Sequence, residues 1–326
     1  MKMKLWQKVV TLAALTFGLA GATASFAADA PATGAKQEAA KDLVLTGDAK
    51  CTRCHDESDV PAVLKIGKTK HGTKADGRTP TCTSCHGDSE AHIKNAGGTD
   101  PRPQVDRLFS KKSTTPVAER NEACLTCHQK DAKRSHWEGS THQSRDVACT
   151  SCHQIHTEHD KVRDKKTQPE VCFACHKEQR TQINKVSHHP IPEGKMGCSD
   201  CHNPHGSTGP KLLVRDSVNA TCYTCHMEKR GPFVWNHQPV TDDCATCHNP
   251  HGTNTASLLK SRPPFLCQQC HEPSSHRGNI PGLNPGGSAG AGTMGITSAR
   301  GCLNCHANIH GGSNPTNDAG SRSLRR

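Results

Sequence analysis

The chain has 326 residues, of which 32% are hydrophobic and 3% aromatic, and its mean hydropathy is −0.71. That is too little apolar side chain for a conventional protein core at this length, so something other than side chains must fill the interior. The formal charge of +11 invites a nucleic-acid partner, but the 20 cysteines and 23 histidines of the same chain point to different chemistry.

Residues 1–27 read as a secretory signal peptide. Lys2, Lys4 and Lys8 form a basic start, VVTLAALTFGLA is an apolar stretch too short to span a bilayer, and Ser25 and Ala27 suit cleavage after Ala27. No cysteine sits at that junction and no later apolar run could cross a membrane, so the expected product is an exported chain without an anchor of its own. Residues 28–48 read as a flexible, Ala-rich lead-in.

From residue 49 to 310 the chain is built on one pentapeptide. C-x-x-C-H occurs ten times, and it uses every cysteine: Cys51/Cys54, Cys82/Cys85, Cys124/Cys127, Cys149/Cys152, Cys172/Cys175, Cys198/Cys201, Cys222/Cys225, Cys244/Cys247, Cys267/Cys270 and Cys302/Cys305. This is the attachment sequence of c-type haem. The two thiols add to the porphyrin vinyl groups, and the adjacent histidine ligates the iron. A string of zinc ribbons would need the cysteine pairs but not the histidine after each. The expected cofactors are therefore ten covalent haems c, with proximal ligands His55, His86, His128, His153, His176, His202, His226, His248, His271 and His306.

Thirteen histidines remain, and their placement is regular. A two-haem unit recurs five times, over residues 51–92, 124–156, 172–205, 222–251 and 267–310. Each unit carries one histidine between its two motifs and one shortly after the second. The spacer set is His71, His142, His189, His237 and His276; the trailing set is His92, His156, His205, His251 and His310. These are ten candidate distal ligands for ten irons. His136, His159 and His188 are left over, and His136 competes with His142 as His188 does with His189. A trailing histidine such as His156, His205 or His251 lies one helical turn from its own proximal ligand, so it should reach a neighbouring haem. Bis-histidine iron has no open face for a substrate, and two imidazoles give a lower potential than a Met/His pair.

The rest follows from composition. Residues 93–123 join the first two units and include an amphipathic piece, VDRLFSKK, that reads as a surface helix. Residues 278–298 are a Gly-rich insertion, and residues 311–326 a tail. The expected fold is a multihaem cytochrome c, mostly irregular, with short α-helices beginning near the motifs and almost no sheet. A two-haem unit is too small to bury its cofactors alone, so the five units should form one body. Without haem the chain should be disordered. Removing the three leader lysines leaves about +8, and each oxidised haem adds about −1, so the holoprotein sits near −2 and nucleic acid is excluded as a partner.

The run CSDCHNPHG, TCYTCHMEKRGP, CATCHNPHG, LCQQCH and GCLNCH resembles the MtrA/DmsE family of decahaem cytochromes, and the likeness extends from Cys51 to His310. It implies an elongated haem wire inserted in an outer-membrane β-barrel porin of the MtrB type. Such a wire relays electrons between periplasmic or inner-membrane multihaem cytochromes and the exterior, where an outer-face decahaem cytochrome or extracellular iron is the partner. The resemblance implies periplasmic localisation at the outer membrane and electron transfer without a catalytic residue. Overall likeness favours the Fe(II)-oxidising branch, typified by MtoA, over the branches that reduce metals or sulfoxides. Two alternatives stand beside it: a multihaem oxidoreductase with its own substrate site, which needs an open iron, and a soluble periplasmic shuttle.

Overall fold

The computed structural model describes residues 48–56, 58, 61–73, 77–95, 97–98, 101–271, 302–304 and 306–313. The signal peptide, nearly all of the lead-in, the Gly-rich insertion, His276, Cys305 and most of the tail lie outside the described residues. All described residues fall in one unit, residues 42–326.

Among the described residues ten short α-helices punctuate irregular chain: α1 (Ala49–Thr52), α2 (Pro61–Leu64), α3 (Cys82–His86), α4 (Glu90–Lys94), α5 (Val117–His128), α6 (Gln168–Cys172), α7 (Lys177–Gln182), α8 (Val218–Cys222), α9 (Gln238–Asp242) and α10 (Phe265–Gln268). Only α5 exceeds six residues. Helices this short are marginal on their own and depend on what they are tied to. Their starts carry the usual signals: Ser217 caps α8 through Oγ and the Ala220 N–H, and Pro169 and Pro239 sit in the first turns of α6 and α9. Among the described residues there is no β-strand, only four isolated antiparallel bridges.

The helices sit on the motifs in a way the sequence did not show. Those of the odd-numbered motifs do not begin there; α5, α6 and α8 lead into a motif and reach its first cysteine or its histidine. Four of the even-numbered motifs open instead on a single 3₁₀ turn, at Cys149–Ser151, Cys198–Asp200, Cys244–Thr246 and Cys302–Asn304. In either setting the histidine N–H donates to the first cysteine's carbonyl, as from His176 to Cys172 (3.0 Å) and from His202 to Cys198 (2.9 Å). One turn of backbone therefore holds the two thiols and the imidazole together.

The interior is mostly polar. Trp137, Ala148, Phe173 and Ile183 are the buried hydrophobic residues among those described, whereas the buried polar set includes Asp48, Asn121, Gln168 and Asn219. These four share one job. Each lies three or four residues before the first cysteine of a unit and accepts a backbone N–H at that unit's second motif. Cys82 N–H donates to Asp48 Oδ2 (2.6 Å), Cys149 N–H to Asn121 Oδ1 (2.9 Å), Ser199 N–H to Gln168 Oε1 (3.0 Å) and Cys244 N–H to Asn219 Oδ1 (2.7 Å). A buried side-chain oxygen thus fastens the two motifs of each of the first four units. Asp48, which composition placed in the lead-in, is part of the body.

The VDRLFSKK segment is not a helix. It runs past the second motif, where the Arg107 carbonyl meets His86 Nδ1 at 3.0 Å and the Phe109 ring stands edge-on to His86 at 5.3 Å. Its apolar residues are spaced as an amphipathic helix would space them, but contact with a motif histidine decides the conformation.

Candidate haem-binding sites

Nine of the ten motif histidines face a second histidine. Ring centres are 6.1 Å apart for His55 and His92, 5.7 Å for His71 and His128, and 6.2 Å for His86 and His156. They are 6.2 Å apart for His142 and His176, 6.0 Å for His153 and His205, and 6.3 Å for His189 and His226. The remaining pairs, His202 with His251, His237 with His271 and His248 with His310, are each at 6.1 Å. Two imidazole–metal bonds of about 2.0–2.1 Å, with roughly 1.1 Å from each nitrogen to its ring centre, put two opposed ring centres about 6.3 Å apart. Eight pairs match that spacing. The His71–His128 pair, whose Nε2 atoms are 3.5 Å apart, would have to open by about half an ångström.

The ring nitrogens are arranged to suit. Nδ1 of His86, His92, His142, His156, His189, His202 and His248 lies 2.7–3.0 Å from a backbone carbonyl, of Arg107, Pro103, Pro204, Val63, Pro250, Lys211 and Ser257 respectively. His153 meets Asp160 in the same way, whereas His128 Nδ1 lies between Asp131 (3.0 Å) and the Arg134 guanidinium (3.0 Å). An Nδ1–H committed to such an acceptor leaves Nε2 bare for a metal and fixes the ring plane. Lys211 and Ser257 owe their role to conformation: both have positive φ (53° and 59°), which turns their carbonyls onto His202 and His248. Burial pushes His71, His86, His128, His202, His237, His251 and His310 below the ordinary imidazole range, and His205 to about 4. Each is thereby held in the neutral form that can bind a metal.

The pairs follow a register that crosses unit boundaries. The spacer histidine of each unit faces the first motif histidine of the next: His71 with His128, His142 with His176, His189 with His226, His237 with His271. The trailing histidine of each unit faces the second motif histidine of the unit before: His156 with His86, His205 with His153, His251 with His202, His310 with His248. At the start of the series His92 turns back on His55 of its own unit. His276 lies outside the described residues, and His306 is the one motif histidine whose facing ring is not described. Of the leftover histidines, His188 turns away from the series, with Nδ1 on the Lys185 carbonyl and Nε2 3.2 Å from Glu193.

The thiols form a second continuous series. The described cysteines are all free. Within units the first thiols of the two motifs are neighbours that shift each other's titration: Cys51 and Cys82, Cys124 and Cys149, Cys172 and Cys198, Cys222 and Cys244, Cys267 and Cys302. Between units, Cys85 lies in the field of Cys124 and Cys127, Cys152 of Cys175, Cys201 of Cys222 and Cys225, and Cys247 of Cys270. Neighbouring motifs therefore bring their attachment thiols together, from the first motif to the last.

The two thiols of a motif are not equivalent, although the sequence reading treats them alike. Cys54, read as the second attachment point of the first haem, is exposed, whereas Cys51 is half-buried and joins the series through Cys82. The reason is local: α1 ends at Thr52, so Cys54 lies on the turn beyond the helix, held by its N–H on the Cys51 carbonyl (3.2 Å). Cys127, Cys175, Cys225 and Cys270 are exposed in the same way, and each is the second cysteine of an odd-numbered motif. The described cysteines of the even-numbered motifs are all half-buried. Exposure leaves the Cys54 thiol accessible for attachment, and the backbone turn keeps it beside Cys51 and His55.

The sequence reading named the motif cysteines and histidines and the second histidine of each described pair. It missed Asp48, Asn121, Gln168 and Asn219. The signal was present: Asp or Asn stands three residues before the first cysteine in three of the five units.

Comparison with known proteins supplies the family. A family model described as the doubled CXXCH motif matches residues 188–231 and 237–276. Another, described as cytochrome c-type protein NrfB-like, matches residues 82–169. The multihaem cytochrome MtrA of Shewanella baltica (strain OS185) is 45% identical over 274 residues, which is 83% of this chain and 80% of that protein. The chain belongs to the MtrA family of multihaem cytochromes. A second likeness is to the cytochrome c-type protein NrfB of Haemophilus influenzae, 33% identical over 149 residues, 40% of this chain and 65% of that protein. NrfB of Escherichia coli O6:H1 is 30% identical over 146 residues, 42% of this chain and 69% of that protein. As a member of the MtrA family this chain binds haem c at its C-x-x-C-H motifs and transfers electrons. Haem supplies a reversible one-electron couple, and the polar, coreless interior leaves the apolar filling to the porphyrins.

Proposed function

We propose that this chain carries ten haems c, each iron held between two histidines, and relays electrons across the outer membrane from inside a β-barrel porin of the MtrB type. The observation that carries the reading is the regular register of nine histidine pairs, each joining a motif histidine to a histidine outside the motifs. In this assignment each facing pair supplies one iron, and His276 serves the His306 haem. Irons so closed have no site for a substrate, which favours a conduit over an oxidoreductase.

The membrane argument is physical. No helix among the described residues is long and apolar enough to cross a bilayer. Electrons do not cross roughly 40 Å of membrane unaided. A closed barrel with a polar lumen can host a haem chain that never touches lipid. The proposed location is the periplasmic side of the outer membrane, reached by the signal peptide of residues 1–27. The proposed partners are a barrel, periplasmic or inner-membrane multihaem cytochromes, and an outer-face cytochrome or extracellular iron. Overall family likeness favours Fe(II) oxidation as the physiological direction.

A pyridine haemochrome count against protein mass tests the haem number, and low-temperature electron paramagnetic resonance tests the ligands. Ten low-spin haems are expected. Eight or fewer, or a dominant high-spin signal, would refute the assignment. Co-purification with a barrel separates the conduit from a free shuttle.

A further inference from the structure

The buried fastening between paired motifs is an amide in three units and a carboxylate in one. Asn121 receives the Cys149 N–H on Oδ1 and gives Nδ2 to the Val147 carbonyl (3.2 Å). Asn219 receives the Cys244 N–H and gives Nδ2 to the carbonyls of Val240 and Thr241 (2.9 and 3.0 Å). Gln168 receives the Ser199 N–H and gives Nε2 to the Val162 carbonyl (2.8 Å). Each amide is satisfied as donor and as acceptor, and none brings a charge.

Asp48 reproduces the acceptor half of this device and not the donor half. Its Oδ2 takes the Cys82 N–H, and its second oxygen stands where the asparagines carry an NH₂. Oδ1 is buried without a hydrogen-bond partner among the described residues, and the residue is 1% exposed. A carboxylate oxygen and the sulfurs of Cys51 and Cys82 lie within 4.8 Å of one another. Lys50, the nearest cation in sequence, turns instead toward Asp88 (3.6 Å) and Glu90 (3.7 Å). A thioether sulfur at Cys51 or Cys82 has no proton to offer this carboxylate.

We infer that Asp48 is an electrostatic tuning residue that holds the first haem pair, attached at Cys51/Cys54 and Cys82/Cys85, at a lower reduction potential than pairs fastened by an amide. The inference rests on those motifs carrying haem. A negative charge held beside the attachment sulfurs of two haems favours Fe(III), which carries one more positive charge than Fe(II), and burial away from water keeps that interaction strong. When the wire is partly reduced, the first pair is the one left oxidised. An electron delivered to this end runs downhill into the second unit, and one arriving from the second unit must climb. The residue 51 end is thereby better suited to take electrons in than to hand them out.

Two substitutions in the full-length haem-loaded protein test this, D48N and N219D. D48N installs the amide used at the equivalent place in other units, N219D the carboxylate at the loss of the amide's bonds to the Val240 and Thr241 carbonyls, and each keeps the oxygen that receives the cysteine N–H. A purely anchoring role therefore predicts no redox change. Haem content is measured first: loss of haem from the wild type would strike the haem assignment itself, whereas ten haems in all three proteins isolates the present inference. Spectroelectrochemical titration should then show about a fifth of the absorbance change of D48N moving to higher potential, by a tenfold or greater change in the oxidised-to-reduced ratio, about 59 mV per tenfold for a one-electron couple. In N219D a similar share should move to lower potential. A D48N titration that superimposes on the wild type, or that shifts downward, overturns the inference.

Discussion

At the scale of single residues, the structure separates described histidines of similar sequence context by what their ring nitrogens meet. His251 and His188 illustrate the contrast. His251 lies 6.1 Å ring-to-ring from His202 and is buried enough to stay neutral. His188 spends both nitrogens on Lys185 and Glu193, and its pKa is raised, first by the hydrogen bond to the Lys185 carbonyl. Replacing His251 with Ala should leave all haems covalently attached, because Cys244 and Cys247 are untouched, and should open one iron, that of His202 in the preceding unit. One equivalent of carbon monoxide binding, absent in the wild type, is the expected readout. His188→Ala should bind none. An H251A protein that stays fully low-spin would break the assigned register at this point. Attachment cysteines and motif histidines were plain in the sequence, because c-type attachment is local chemistry written in five consecutive residues. The difference in exposure between Cys51 and Cys54 was not, because it depends on where the leading helix stops. Nor was the exact pairing, because every described pair except His55 with His92 joins histidines of different units.

At the scale of elements, helices of four or five residues cannot hold themselves, and the structure shows what holds them. Asn121 in α5 and Asn219 in α8 each satisfy an N–H and at least one carbonyl of the segment carrying the second motif. Substituting Ala at either position strands those groups in a buried setting, at about 1–3 kcal/mol for each one left unpaired. Denaturant unfolding of the haem-loaded protein should register that loss, and haem content should stay complete. A midpoint unchanged by N121A or N219A would show that the covalent haems alone fix the motif pairs. Haem removal is the complementary experiment. Chain expressed without haem attachment should give a far-ultraviolet circular dichroism spectrum close to that of an unfolded polypeptide, since few hydrophobic residues are buried by the protein alone. Substantial retained helix would contradict this. Sequence pattern gave short helices and almost no sheet, as the described residues show, because low hydrophobicity and frequent motifs leave room for little else. It misplaced VDRLFSKK, because the contacts of Arg107 and Phe109 with His86 are tertiary and leave no local periodicity of their own.

At the scale of the whole molecule, the register makes every unit depend on its neighbours. The second unit borrows His71 from the first and His205 from the third, and gives His156 and His142 in return. No unit is complete alone, so the five should fold and function as one wire. A truncation that ends the chain before Cys198 tests this and the conduit reading together. It keeps five motifs but removes His205, the partner of His153. The product should carry five haems, one of which, that of His153, binds carbon monoxide. It should also fail as a conductor. In liposomes enclosing a reduced dye, full-length protein reconstituted with its barrel partner should pass electrons to external Fe(III). Full-length protein merely added outside should not, because it has no path through the bilayer. The truncated protein with the barrel should not either, since half the series is too short to bridge roughly 40 Å of membrane. Undiminished current from the truncation, or from the full-length protein without any barrel, would refute the conduit and leave a periplasmic shuttle as the better account.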